Sequence, residues 1–163
     1  MTQSPQDSHE FLFTNIGFLL GKTNQIKDRL LDQFLIEEDI TAGQVKVLFR
    51  LYFQNNQRSS DISKSLNVDG GAMTRMLDRL EKKHLIQRIA DPDDRRSVLI
   101  KLTDNGHIVT SRAIPLAQAA IDNLTECLTF EEKQNLLHGL SKIVASFLSE
   151  DCPSSLFKTN GEK

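Results

Sequence analysis

The sequence has no run of 18 apolar residues, only two cysteines and only four histidines, and each scarcity removes a class of function. Without a long apolar run there is no candidate transmembrane helix. The opening residues, MTQSPQDSHEF, lack the basic and then apolar layout of a secretory signal, so a cytoplasmic protein with no membrane partner is expected. Cys127 and Cys152 belong to no CxxC spacing, which fits a reducing compartment better than a disulfide framework. Cys127 lies near an apolar helix end and is expected to be a small buried hydrophobe, with Cys152 exposed in the tail. His9, His84, His107 and His138 are scattered with no HxxxH pair, so no metal site and no cofactor are expected. Catalysis lacks its marks as well. DGGAMT carries neighbouring glycines but neither the Walker lysine nor a preceding strand. Asp93 and Asp94 stand beside arginines in a turn, where a structural role is the simpler account. No enzyme is expected.

What is present is an ordinary globular composition, 39% hydrophobic and 26% charged over 163 residues, enough for one domain with an appended helical part. A chain of this length removes roughly two-thirds of its unfolded surface from water. Net charge is −2, which by itself argues against a nucleic-acid binder. The charge is unevenly spread, however. Residues 52–101 hold ten basic against seven acidic groups, while both flanking parts are net acidic. A polyanion is therefore expected to bind the middle of the chain.

Apolar residues at helical spacing predict a long helix from Phe11 to Ile36. A second helix starts after Thr41, where Thr41 and Gln44 have capping-box spacing. SSDISKSL predicts a short helix capped by Ser59 or Ser60, with Ile62 and Leu66 inward. After the turn NVDGG, Asp69 is placed to cap GGAMTRMLDRLEKK, which buries Met73, Leu77 and Leu80. Leu85 to Ile89 and Ser97 to Leu102 read as two strands around DPDDRR. A helical region follows from Thr103–Asp104 through Cys127, in which Pro115 is expected to kink or restart the helix. Thr129 and Glu132 predict a capping box for a last helix, ending before a polar tail.

Short helix, turn, second helix and hairpin, in that order, make a winged helix-turn-helix. The fold class expected is mainly α with a small two- to three-stranded β wing. A helix reads the major groove when its apolar face is braced and its polar face is free. Ala72, Thr74, Arg75, Asp78, Arg79 and Lys82 are predicted to face outward. Gly70 and Gly71 put no side chain between the helix start and a phosphate. Arg75 suits a bidentate contact to guanine, and Thr74 offers a hydroxyl or a methyl.

The stretches ITAGQVKVL, VDGGAMTRMLDRLEKK and DPDDRRSVLIKLTDNG resemble the MarR family of bacterial repressors, over roughly Phe11 to Leu148. The resemblance implies a homodimer, with residues 11–36 and 104–149 forming a helical dimerisation region. It implies a DNA-binding domain over 41–102, leaving 150–163 as a loose tail. It assigns base reading to Thr74, Arg75 and Arg79, with Ser59, Ser60, Gly70, Gly71 and Lys82 around them on double-stranded DNA. It assigns the minor groove to Arg96, with Arg95 beside it and Asp94 bracing the wing. It also implies release by a small aromatic or phenolic effector, with Arg88 as a contact. Two departures stand out. His84 replaces the family's usual glycine after the recognition helix, and Lys82–Lys83 stand where some relatives carry a sensing cysteine. The alternatives are a winged-helix module whose partner is protein, and a carrier of apolar ligands.

Overall fold

The computed structural model describes residues 14–92 and 98–147. The chain forms two compact units, divided between Leu124 and Thr125. The first opens with α1 (Ile16–Phe34), capped by Asn15, whose side chain accepts from the Phe18 N–H at 2.9 Å. A 3₁₀ turn, Ile36–Glu38, ends at Asp39 with φ 51°. Thr41 and Gln44 form the predicted capping box of α2 (Ala42–Gln54), each side chain accepting from the other's backbone. Each satisfies an amide that the helix itself cannot.

A short strand β1 (Gln57–Arg58) leads into α3 (Ser59–Leu66). Asn67 closes α3 in the left-handed region at φ 51°, and the Val68 N–H bonds the Ser63 carbonyl. Then come α4 (Gly70–Lys82), β2 (Ile86–Ala90), β3 (Val98–Leu102) and α5 (Asp104–Leu124). The strands form one antiparallel sheet in the order β1-β3-β2, with Gln57 and Arg88 both opposite Ile100. Leu48, Ile62, Met73, Leu77, Leu80, Ile86 and Ile100 are sealed in one core beneath it. Each such side chain stabilises the fold by about 1.5–3 kcal/mol relative to exposure.

The junction after α4 is fixed from both sides. His84 adopts φ 54°, and the Leu85 N–H returns to the Leu80 carbonyl at 3.0 Å, a Schellman-type stop. His84 thus takes the left-handed conformation that suits glycine, the residue it replaces in the family pattern. From the other side, Thr103 donates its N–H to the Leu85 carbonyl and its hydroxyl to the His84 carbonyl. Gly106 presses against the same place. A Cβ there would stand 1.9 Å from the Leu85 oxygen, so only glycine fits.

Two expectations are corrected, the cap of α3 and the burial of Cys127. Neither Ser59 nor Ser60 caps α3: Arg58 holds the cap position, its side chain not bonded to the helix's first amides, because its extended backbone continues β1. Pro115 lies inside α5, so of the two expected outcomes, a kink or a restart, the restart does not occur. Pro115 and Ser111 are both exposed, so the Ser111 carbonyl that loses its helical donor opens to water. Cys127 is exposed, in the turn after α5, rather than buried. The sheet has three strands, within the expected two to three, with β1 as the third, and β2 begins at Ile86, one residue later than expected.

The second unit carries α6 (Phe130–Phe147). Its predicted capping box is present: Thr129 donates its N–H to Glu132 at 2.8 Å and accepts from the Glu132 N–H. The Thr129 backbone and hydroxyl donors hold the Glu132 carboxyl below the usual carboxylate range. Among the described residues no helix is long and apolar enough to cross a membrane.

Candidate nucleic-acid interface

α4 divides cleanly into two faces. Met73, Leu77 and Leu80 are buried at i, i+4 and i+7, while Gly70, Gly71, Thr74, Arg75, Asp78, Arg79 and Lys82 are exposed and Ala72 is half-buried. The buried stripe is what holds the outward face still. Asp69 caps the helix as predicted, accepting from the Ala72 N–H at 2.9 Å. A Cβ at Gly70 would meet nothing within 4 Å, so the approach to the first turn is open. Thr74 donates its hydroxyl to the Gly70 carbonyl at 2.8 Å, which leaves its methyl and an acceptor lone pair for a ligand.

The cations of this lobe fall into two groups. Lys83 binds Asp39 and Arg112 binds Glu38, so the 3₁₀ turn is tied both to the end of α4 and to α5. Arg58 donates through Nε and a terminal nitrogen to Asp91 Oδ2 at 3.1 and 2.7 Å. Asp91 is 5% exposed, and this pair fastens the entry of α3 to the end of β2. Arg88 bridges Asp78 and Glu81 of α4. Arg75, Arg79 and Lys82, in contrast, have no carboxylate partner among the described residues. Three unneutralised cations therefore share the exposed face of one braced helix, a geometry suited to a polyanion.

Ser59 and Ser60 lie at the first turn of α3, half-buried and exposed respectively. Asp94, Arg95 and Arg96 lie outside the described residues. Sequence reasoning missed the Arg58–Asp91 pair, whose members are 33 positions apart.

An open recess of about 190 Å³ lies between α1, α2 and α5, walled by Leu31, Val45, Phe49, Ala120 and others, with Lys27 and Lys46 in its lining. Both lysines engage Asp28, Lys46 at 2.7 Å and Lys27 at 3.4 Å. Burial pushes the Asp28 carboxyl up. The Lys46 hydrogen bond and the two ammonium charges outweigh it and hold the group below its ordinary value.

Comparison with known proteins gives a consistent result. The MarR family model matches residues 40–98. The multiple antibiotic resistance protein MarR of Escherichia coli K12 is 40% identical over 130 residues, covering 79% of this chain and 90% of that protein. A crystal structure of an E. coli MarR mutant complexed with operator DNA is 39% identical and superposes with a TM-score of 0.72, over 81% of this chain and 95% of that one. Bordetella bronchiseptica BpsR, whose DNA binding is regulated by 6-hydroxynicotinic acid, is 26% identical with a TM-score of 0.70, over 79% of this chain and 98% of that one.

Proposed function

The chain belongs to the MarR family of transcription regulators, which are not enzymes, and on that premise we propose a homodimeric, ligand-responsive repressor of a palindromic operator. The observation that carries the reading is the outward face of α4, where Arg75, Arg79 and Lys82 stand exposed and without carboxylate partners among the described residues. Thr74, Arg75 and Arg79 read base edges, Lys82 meets phosphate, and the Gly70–Gly71 helix start approaches the backbone closely. Ser59 and Ser60 add backbone contacts. Arg96, flanked by Arg95 and braced by Asp94, enters the minor groove. Two lobes in a dimer then address half-sites about 34–36 Å apart.

Dimerisation is assigned to residues 11–36 and 104–149. Ile16 and Leu20 on α1, Ile114 on α5, and Leu137, Ile143 and Phe147 on α6 are exposed in the single chain. Apolar residues exposed in such numbers favour burial against a second copy.

For the effector, a small aromatic or phenolic acid suits the recess. Its ring would lie against Phe49 and the aliphatic walls, and its carboxylate would compete with Asp28 for Lys27 and Lys46. Regulation of BpsR by 6-hydroxynicotinic acid supports that ligand class. Arg88, the contact implied by the resemblance, already has its guanidinium on two carboxylates, so an acid binding there must displace one of them. An effector that prefers one lobe spacing shifts the population away from the DNA-compatible conformer.

Gel-shift titrations test the reading. Arg75→Ala should cost about 1–3 kcal/mol and relax sequence preference. Arg96→Ala should weaken specific and random duplexes alike and lessen the salt dependence. If both variants bind as the parent does, the assignment of DNA reading to this face is wrong.

A further inference from the structure

We propose that Arg88 is a positioning residue for DNA recognition, fastening the first strand of the wing to the recognition helix without touching DNA itself. The inference rests on the regulator reading above and concerns how its two DNA-contacting elements keep their mutual angle.

Asp78 and Glu81 are three residues apart on α4, so their carboxylates lie one above the other on one flank. Arg88 sits in the middle of β2, opposite the buried Ile100 of β3, which fixes its backbone to the sheet. One terminal nitrogen of Arg88 meets Asp78 Oδ1 at 2.7 Å and the other meets Glu81 Oε2. The two nitrogens of a planar fork thus reach two carboxylates from a single strand position, which a lysine cannot do in fixed geometry. On the other side of the same connection stands the His84 stop, with the Leu85 N–H on the Leu80 carbonyl. One restraint fixes how the chain leaves α4. The other fixes how β2 leans on it.

The bridge also covers two negative charges on a helix that would face phosphates. Half-exposed ion pairs contribute little to global stability. The consequence to look for is therefore in recognition, where a loosened wing must be re-ordered on every binding event.

The test uses the full-length protein and an operator isolated by repeated selection of random-sequence duplexes on the parent. Arg88→Gln should weaken the selected operator by about five- to tenfold, the scale of two lost half-exposed ion pairs. Random duplex should change by less than about twofold, so the operator-to-random ratio falls while the thermal midpoint stays near the parent's. A purely structural role would lower both affinities together and leave the ratio in place. The triple variant D78N/E81Q/R88Q carries one more positive charge than the parent but no bridge. It should remain weak on the operator. An unchanged ratio in Arg88→Gln, or a ratio restored in the triple variant, overturns the positioning role, the second outcome reducing it to charge screening. A parent that selects no operator overturns the regulator reading and this inference with it.

Discussion

Replacing Gly106 with alanine should disrupt the joint on which the DNA-reading lobe is hung. An added Cβ would lie 1.9 Å from the Leu85 carbonyl oxygen and 3.2 Å from Leu102 Cδ2, where ordinary contact begins at 3.4 Å. About 1.5 Å of movement is needed, and the obstacle is backbone rather than a side chain able to swing away. That carbonyl accepts the Thr103 N–H at 3.1 Å, and the same residue's N–H ends α4 on Leu80. Losing one such hydrogen bond costs about 1 kcal/mol. Forcing an extra carbon into a packed site costs about 1–3 kcal/mol. Together they predict a fall in unfolding free energy of about 2–4 kcal/mol, read from urea denaturation followed by far-ultraviolet circular dichroism. Protein concentration must be held fixed, because dimerisation is linked to apparent stability. A Gly106→Ala protein within about 0.5 kcal/mol of the parent, the range of neutral surface changes, would refute the reasoning.

His84→Gly should act in the opposite direction. A side chain in the left-handed region costs about 1–2 kcal/mol, and glycine's added unfolded-state entropy takes back about 0.5–1 kcal/mol. The net gain of about 0–1.5 kcal/mol should leave the midpoint unchanged or raise it by up to about 6 °C, and a lower midpoint contradicts the strain at φ 54°. Asp28 makes a prediction in pH. Its folded pKa is lowered, so its contribution is present above the unfolded pKa and is lost as pH falls through the folded one. A carboxyl titration by NMR should place Asp28 below ordinary aspartate, and Lys46→Met should move it upward by removing the leading stabilising partner. A parent midpoint at or above the ordinary value counts against the Lys46–Asp28 pairing.

The parts legible in the sequence are those whose cause is local. Thr41 with Gln44, Asp69, and Thr129 with Glu132 lie three residues from the amides they satisfy, so spacing alone predicted them. The stripe of Met73, Leu77 and Leu80 was legible from its period, and its opposite face follows from it. β1 was not legible. Two polar residues become a strand only because Gln57 and Arg58 find β3 some forty positions later. The same holds for Arg58 on Asp91 and for Arg88 between Asp78 and Glu81, where topology supplies the partner. Ser59 was misjudged as a cap for that reason: the extended Arg58 before it belongs to the sheet. For Pro115 the sequence left a kink and a restart both open, and α5 continues through it.

The central claim is that the exposed cations on α4 meet the DNA backbone and bases. It is tested most directly by titrating the dimer with a selected operator duplex and a scrambled duplex at increasing potassium chloride. If Arg75, Arg79 and Lys82 from each of two lobes displace about one counterion apiece, whether at a base or a phosphate, the logarithm of the binding constant should fall against the logarithm of salt with a slope of roughly −5. The operator should stay at least about a thousandfold tighter than the scrambled duplex. A flat salt response with equal affinities would contradict the account and favour a winged-helix module that binds protein.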